Sequence, residues 1–209
     1  MTALHAGVML CLAWAVLALA SLRRRAKAFG ARRLYAKPAG DPGRGARYAF
    51  TAGMAPWAKE SVLLNLPSYA AGLAFHAGVA AAFGLLAADL LRLEPAVAWL
   101  LLARLLTVAG TLGGAALLGK RILLPRLRGL SCPDDFVANL LTTLFVLLAC
   151  GRSFSRSFEG IWLAEAMVLL AYVPLGKIRH CLFFFSTRYH LGAFFGRRGT
   201  FPPSRSHHA

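Results

Sequence analysis

Charge is scarce in this chain. Only 15% of its residues are charged, against roughly 25% in an average soluble domain. With 58% hydrophobic residues and a mean hydropathy of +0.58, that shortage excludes an ordinary water-soluble domain and places the chain among integral membrane proteins. Acidic residues are scarcer still: eight Asp and Glu stand against 24 Lys and Arg, for a net charge of +16. An excess of this size can mark a nucleic-acid binder. Here the basic residues cluster between apolar runs, as loops beside a membrane do, so no nucleic-acid partner is expected.

Cysteine motifs are missing too. Cys11, Cys132, Cys150 and Cys181 form no C-x-x-C pair and no C-x-x-C-H, which excludes covalent c-type haem attachment. Their spacing does not suggest an iron–sulfur cluster held by this chain alone, and all four read as small apolar fillers. No internal repeat is visible. The first twenty residues lack the basic flank that precedes the apolar run of a secretory signal, since "SLRRRAK" follows the run instead. The segment reads as a retained helix.

What is present is a series of long apolar runs. A membrane-spanning helix needs roughly 20 mostly apolar residues, and five candidates occur, at about 3–21, 66–91, 96–119, 134–150 and 161–185. The expectation is an all-α integral membrane protein, a five-helix bundle forming one domain over 1–199, with a basic loop at 22–60 and a polar tail at 200–209. Pro67 falls in the first turn of the second run, where a missing N–H is harmless. "SCPD" reads as a capping box with Ser131 as N-cap and Asp134 three residues on. Pro95 separates the second and third runs, and Gly160 precedes the fifth.

Orientation follows from the basic residues. Ten lie in the 22–60 loop, four after the third run (Lys120, Arg121, Arg126, Arg128) and six at the end of the fifth run and beyond it (Lys177, Arg179, Arg188, Arg197, Arg198, Arg205). All three regions fall on one side. The other side has Arg92, Arg152 and Arg156. Twenty against three predicts the N-terminus outside, the C-terminus in the cytoplasm, and residence in the inner membrane. The 22–60 loop, rich in Gly, Pro and Arg, is either a linker or a docking surface, and its charge also suits anionic lipid.

Six histidines occur. His207 and His208 lie in the polar tail and His5 at the outer end of the first run. His76 and His180 lie inside apolar runs, where polar groups are costly and tend to have a purpose. At 1.5 Å per residue, His76 is roughly 15 Å from the cytoplasmic end of its helix and His180 roughly 8–12 Å from that side. The two imidazoles are thus expected at one level, in the inner half of the membrane. Two imidazoles facing across a bundle are the usual axial ligands of a b-type haem. Gly72, Ala80 and Gly84 share the His76 face and leave room for a flat macrocycle. Gly176 lies one turn before His180, and Lys177 and Arg179 would neutralise haem propionates. The competing reading is that each histidine bonds a neighbouring backbone carbonyl. His190 has no intramembrane partner for a second pair and reads as interfacial, or as lining a quinone or partner site.

Three segments carry a resemblance: "KESVLLNLPSYAAGLAFHAG" (59–78), "LLGKRILLPRLRGLSCPDDFVANLL" (117–141) and "VPLGKIRHCLFFFSTRYHLGAFFGRRG" (173–199). Together they resemble the cytochrome b membrane subunits related to the nitrate reductase gamma subunit, in the branch of the DsrM, TmcC, HmeC and HdrE redox-complex subunits. The resemblance covers about four of the five runs. It implies five helices with the N-terminus outside, haem b between the second and fifth helices with His76 and His180 as axial ligands, and electron exchange with menaquinone. It also implies a cytoplasmic iron–sulfur partner of the heterodisulfide reductase kind, alongside other membrane redox subunits. Two-haem members carry a further histidine pair. The equivalent positions before His76 hold Asn65 and Leu66, so one haem is expected.

Two charges interrupt apolar runs on the outer side, Arg104 in "LLARLLT" and Glu165 in "LAEAM", with Asp89 near the outer end of the second run. Arg104 and Glu165 read as an ion pair that would ease both desolvation costs, or as proton-handling groups beside a quinone. Lys59, Lys120 and Lys177 are candidates for quinone contact. The expected function is a membrane cytochrome b subunit carrying electrons between the quinone pool and a cytoplasmic redox subunit. The alternatives are a haem-free membrane anchor for a soluble enzyme, and a transporter with an Arg104–Glu165 polar path.

Overall fold

A computed structural model describes residues 2–30 and 37–203. Arg32 and Arg33 of the basic loop, and Arg205, His207 and His208 of the tail, lie outside the described residues. The described chain is helical throughout, with short 3-10 turns and no strand. Four helices are long and apolar enough to cross a membrane: α1 (Ala3–Ala28), α4 (Leu66–Leu90), α5 (Val97–Leu123) and α7 (Pro133–Phe154). A fifth crossing exists only if α8 (Glu159–Tyr172) and α9 (His180–Arg197) are taken as one broken span. The protein is therefore a multi-pass membrane protein by the length and apolarity of its helices.

Helix ends differ from the apolar runs in instructive ways. α1 continues past residue 21 through Arg23, Arg24, Arg25 and Lys27. Arg and Lys are good helix formers and are favoured at a helix C-terminus, so the apolar stretch stops before the helix does. The cap of α7 is one residue later than expected. Cys132 is the N-cap and Asp135 accepts its backbone N–H at 3.0 Å. Pro133 occupies the first helical position, and Ser131 instead donates to the Leu127 carbonyl.

The predicted fifth helix is broken. α8 ends at Tyr172 and a 3-10 turn at Lys177–Arg179 leads into α9. Pro174 lies in the gap: it has no N–H to donate, and its ring clashes with the carbonyl four residues back. Two carboxylates at the start of α7 hold the gap in place. The Tyr172 hydroxyl and the Lys177 backbone N–H both donate to Asp134. The Lys177 ammonium pairs with Asp135 at 2.7 Å.

The chain divides into two compact units. The first comprises residues 1–18 and 67–178, the second 19–66 and 179–209. In the first unit α4 and α5 approach closely through small residues: a Cβ on Gly78 would lie 2.7 Å from the Gly110 Cα. Apolar association inside a membrane has no hydrophobic drive, and close packing of small residues supplies the attraction instead. Gly84 belongs to this packing too, because a Cβ there would lie 2.9 Å from the Trp99 ring. The core of the unit is an aromatic ladder. Phe83 meets Phe145 at 4.9 Å, and Phe145 stacks on Trp162 at 6.3 Å.

The second unit gives the 22–60 segment a structure of its own. α2 (Pro42–Phe50), with Asp41 as N-cap, packs on α9 through Gly45, Ala46 and Ala49 against Gly192 and Gly196. Arg188 of α9 donates to the Ala49 and Gly53 carbonyls at 2.8 and 2.9 Å, closing the end of α2. Phe50 stacks on Phe185 at 6.4 Å. A single-turn helix, α3 (Glu60–Leu63), precedes α4, and a short α6 (Pro125–Gly129) links α5 to α7. The charge is unevenly shared. The second unit carries fifteen basic and two acidic residues, net +13; the first carries nine and six, net +3.

Candidate functional site

His76 sits eleven residues into α4 and is exposed on its surface, while its neighbours Phe75 and Gly78 are buried. Its Nδ1 lies 2.7 Å from the Gly72 carbonyl oxygen. A carbonyl only accepts, so Nδ1 carries the proton and the lone pair is on Nε2. This bond fixes the ring's tautomer and direction, as second-shell bonds do for ligating histidines. A Cβ on Gly72 would meet nothing within 4 Å, so the helix surface one turn before His76 is open. The Phe75 ring stands edge-on to the imidazole at 6.0 Å. Of the small residues expected to leave room beside His76, Gly72 does so, whereas the space at Gly84 is filled by Trp99.

His180 is the first residue of α9 and is exposed. The expectation that it lies within an unbroken membrane helix is corrected, because the Pro174 break precedes it by six residues. A depth counted back along a continuous helix from Phe185 therefore does not apply to it. His76 belongs to the first unit and His180 to the second. Arg179 caps α9 and is exposed. Lys177 has its ammonium on Asp135. Gly176 is covered by the Tyr172 ring, so it serves the break rather than a ligand. His190 is exposed further along α9, beside the Tyr189 ring.

Of the lysines considered for quinone contact, Lys120 like Lys177 has a structural partner. Lys120 donates to the Ser68 hydroxyl at 2.5 Å, joining α5 to α4. Lys59, in the turn before α3, has its pKa lowered, by partial burial and then by the nearby Arg188 guanidinium.

The expected Arg104–Glu165 pair does not form. Arg104 donates from Nε and Nη2 to the Ser153 carbonyl at 3.1 and 2.5 Å and lies over the Phe154 ring at 4.6 Å. That carbonyl belongs to the last turn of α7, where backbone acceptors lack helical partners. Glu165 is buried, and its Oε1 has no hydrogen-bond partner among the described residues.

A second polar centre, which the sequence did not announce, lies where the N-terminus of α1, the C-termini of α4 and α7 and the N-terminus of α8 converge. His5 is buried, with Nε2 3.1 Å from Asp89 Oδ2 and Nδ1 2.6 Å from the Thr2 hydroxyl. The Arg152 guanidinium lies 2.9 Å from the other Asp89 oxygen and 3.5 Å from Glu159. These groups line a cavity of about 500 Å³. One ligand atom from each of His5, Asp89 and Glu159 could gather within 4.8 Å of the others, as around a metal ion. Arg152 already bridges the two carboxylates, so a bound cation would have to displace it. The residues are 84 and 63 positions apart in pairs, so no local motif could have revealed them.

Comparison with known proteins found no matching family model, no matching curated protein and no matching solved structure.

Proposed function

We propose that this chain is the membrane cytochrome b subunit of a redox complex, carrying electrons between a membrane quinone, menaquinone by the resemblance, and a cytoplasmic iron–sulfur subunit. The observation that carries the reading is the His76 Nδ1–H donated to the Gly72 carbonyl, beside an open stretch of a membrane-spanning helix. That bond presents Nε2 in the ligating tautomer, and the unfilled surface at Gly72 fits a flat macrocycle. His180 is the proposed second ligand, one haem b the proposed cofactor, and Arg179 the nearest cation for its propionates. The haem, when bound, supplies one-electron chemistry. The chain's own work is to fix an imidazole in one tautomer, to set the break before His180 and to surround the group with apolar side chains.

In this reading the N-terminus lies outside and the C-terminus in the cytoplasm of an inner membrane, as twenty basic residues against three imply. The second unit, at net +13, faces the cytoplasm and docks the partner. A second reading, a haem-free anchor, draws on that same charge, since docking needs no cofactor. The two are separated by absorption. Chain purified from haem-replete membranes is expected to show a reducible b-type spectrum that His76→Ala and His180→Ala each abolish and His190→Ala leaves intact. No reducible absorption in the folded protein refutes the cytochrome reading in favour of the anchor.

A further inference from the structure

The cavity where the ends of α1, α4, α7 and α8 converge has features that the haem reading does not use. Its volume of about 500 Å³ falls in the range of small-molecule sites and exceeds what a single ion needs. Three donors in its lining have no acceptor among the described residues. Trp162 is 1% exposed, and its indole N–H is unmatched. The Arg152 Nε–H is also buried and unmatched. The Arg92 guanidinium makes no ion pair among the described residues, whereas Arg156 lies 4.0 Å from Glu94. A buried N–H without an acceptor is rare in folded proteins. Two of them in one cavity with an unpaired guanidinium call for an oxyanion.

The same lining also holds an unmet acceptor. Asp89 and Glu159 share the one Arg152 guanidinium, both through Nη2, at 2.9 and 3.5 Å. Asp89 has both oxygens engaged, one by Arg152 and the other by His5. Glu159 meets Arg152 through Oε2 alone, and its Oε1 has no partner among the described residues. A cationic group can therefore bond Glu159 without displacing Arg152. The unmet donors and this acceptor are neighbours. Glu159 and Trp162 stand three residues apart on α8, hence on one face, and the Arg92 N–H closes a turn on the Asp89 carbonyl at 3.1 Å. Taken together, the charged lining cancels: Arg92, Arg152 and Arg156 against Asp89, Glu94 and Glu159. A ligand neutral overall but charged at both ends matches this pattern better than a simple anion or cation.

We infer that this cavity binds a zwitterion in which a primary ammonium is joined to a phosphodiester, the chemistry of a phosphoethanolamine group. The phosphate oxygens take the Trp162, Arg152 and Arg92 donors, and the ammonium donates to Glu159 Oε1. A quaternary ammonium is read by open aromatic faces. Here the Phe154 ring already holds Arg104 at 4.6 Å and Trp162 is stacked on Phe145 at 6.3 Å, so the cation must be read through its N–H groups. Place selects the phosphate. α1, α4 and α7, each long enough to cross a membrane, have an end here, at the depth where lipid headgroups lie. Arg92 supports the site as well. Its φ of +53° puts a side chain in the left-handed C-terminal turn that favours glycine, and a side chain held there at a conformational cost marks a place where it is needed. None of these residues belongs to the proposed haem site, so the inference stands apart from the electron-carrier reading.

The test uses the full chain in maltoside detergent, in two arms. In the first, calorimetry measures binding of soluble glycerophosphoethanolamine. Saturable one-site binding is expected, about tenfold or more tighter than that of glycerophosphoglycerol, which lacks the ammonium, and of glycerophosphocholine, whose ammonium has no N–H. In the second, native mass spectrometry follows retention of dilauroyl phosphatidylethanolamine. Arg92→Gly and Trp162→Phe are each expected to weaken binding about tenfold or more. Arg92→Gly relieves the backbone, so its thermal midpoint stays level or rises, and lost binding cannot be blamed on misfolding. One lipid molecule held by the parent and lost in Arg92→Gly supports the site and makes its source a lipid headgroup. Selective binding of the soluble diester without such a lipid supports the site and makes its source a free molecule. No binding in either arm, equal binding of glycerophosphoglycerol, or binding within twofold of the parent in both variants overturns the site.

Discussion

Gly72 and Gly78 lie on one helix, six residues apart, and the structure gives them opposite duties. A Cβ on Gly78 would be 2.7 Å from the Gly110 Cα and 2.8 Å from the Leu106 carbonyl oxygen, both backbone atoms. Backbone cannot rotate away, so α4 and α5 must separate. Overpacking of this kind costs about 1–3 kcal/mol. At roughly 2–4 °C per kcal/mol for a chain of this size, Gly78→Ala is expected to lower the thermal midpoint by about 2–12 °C. Gly72 has nothing within 4 Å of that position. Gly72→Leu therefore removes a poor helix former without a clash, and the haem-free protein should hold its midpoint or gain up to about 1 kcal/mol. If a macrocycle lies against Gly72, the same leucine occupies its place, and haem content falls while the fold stands. The assay is thermal unfolding followed by circular dichroism in detergent, with haem measured by pyridine haemochrome on the same preparations. A Gly72→Leu protein that unfolds as early as Gly78→Ala would show Gly72 to be a packing glycine. A stable Gly72→Leu protein with full haem would remove the macrocycle from that face.

Other consequences follow from single contacts. Arg104→Ala leaves the Ser153 carbonyl without its guanidinium donors and should cost about 1–3 kcal/mol, read as a lower thermal midpoint; Glu165→Gln, at a group that does not pair with Arg104, should not mimic it. Gly192→Leu drives a side chain into the Ala46 backbone, 2.7 Å from its first carbon, and is expected to free α2 from α9, read as faster proteolysis within 37–60. The Lys59 pKa is lowered in the fold by burial and by Arg188. The folded state thus holds that proton less tightly than the unfolded chain, and the penalty is full below the folded pKa and gone above the unfolded value near about 10.4. Lys59→Gln should accordingly raise stability at neutral pH, with the gain vanishing as pH rises through about 10; a gain that persists at higher pH would refute the electrostatic cause.

Membrane character was legible because it is a sum over many residues. Shortage of charge and long apolar runs need no tertiary contact to be seen, and the runs located α1, α4, α5 and α7 to within a few residues at most ends. The exceptions are ends where helix outlasts apolarity, as at Arg23–Lys27. The break in the last run was written locally in "YVPLGK", since Pro174 cannot continue a helix, but the apolar count overrode it. His76 was singled out by its setting, and its Gly72 bond follows from helix geometry four residues back. What sequence could not give was any partner far along the chain. Arg104 and Glu165 looked like a pair because both are charged and both interrupt apolar runs. Tertiary packing instead brought Arg104 to the end of α7 and gathered His5, Asp89, Arg152 and Glu159 around one cavity. Local chemistry and periodicity are properties of neighbouring residues and survive in a string of letters. Which distant side chains meet depends on how the helices cross, and the close glycine contacts set that crossing only once the chain has folded.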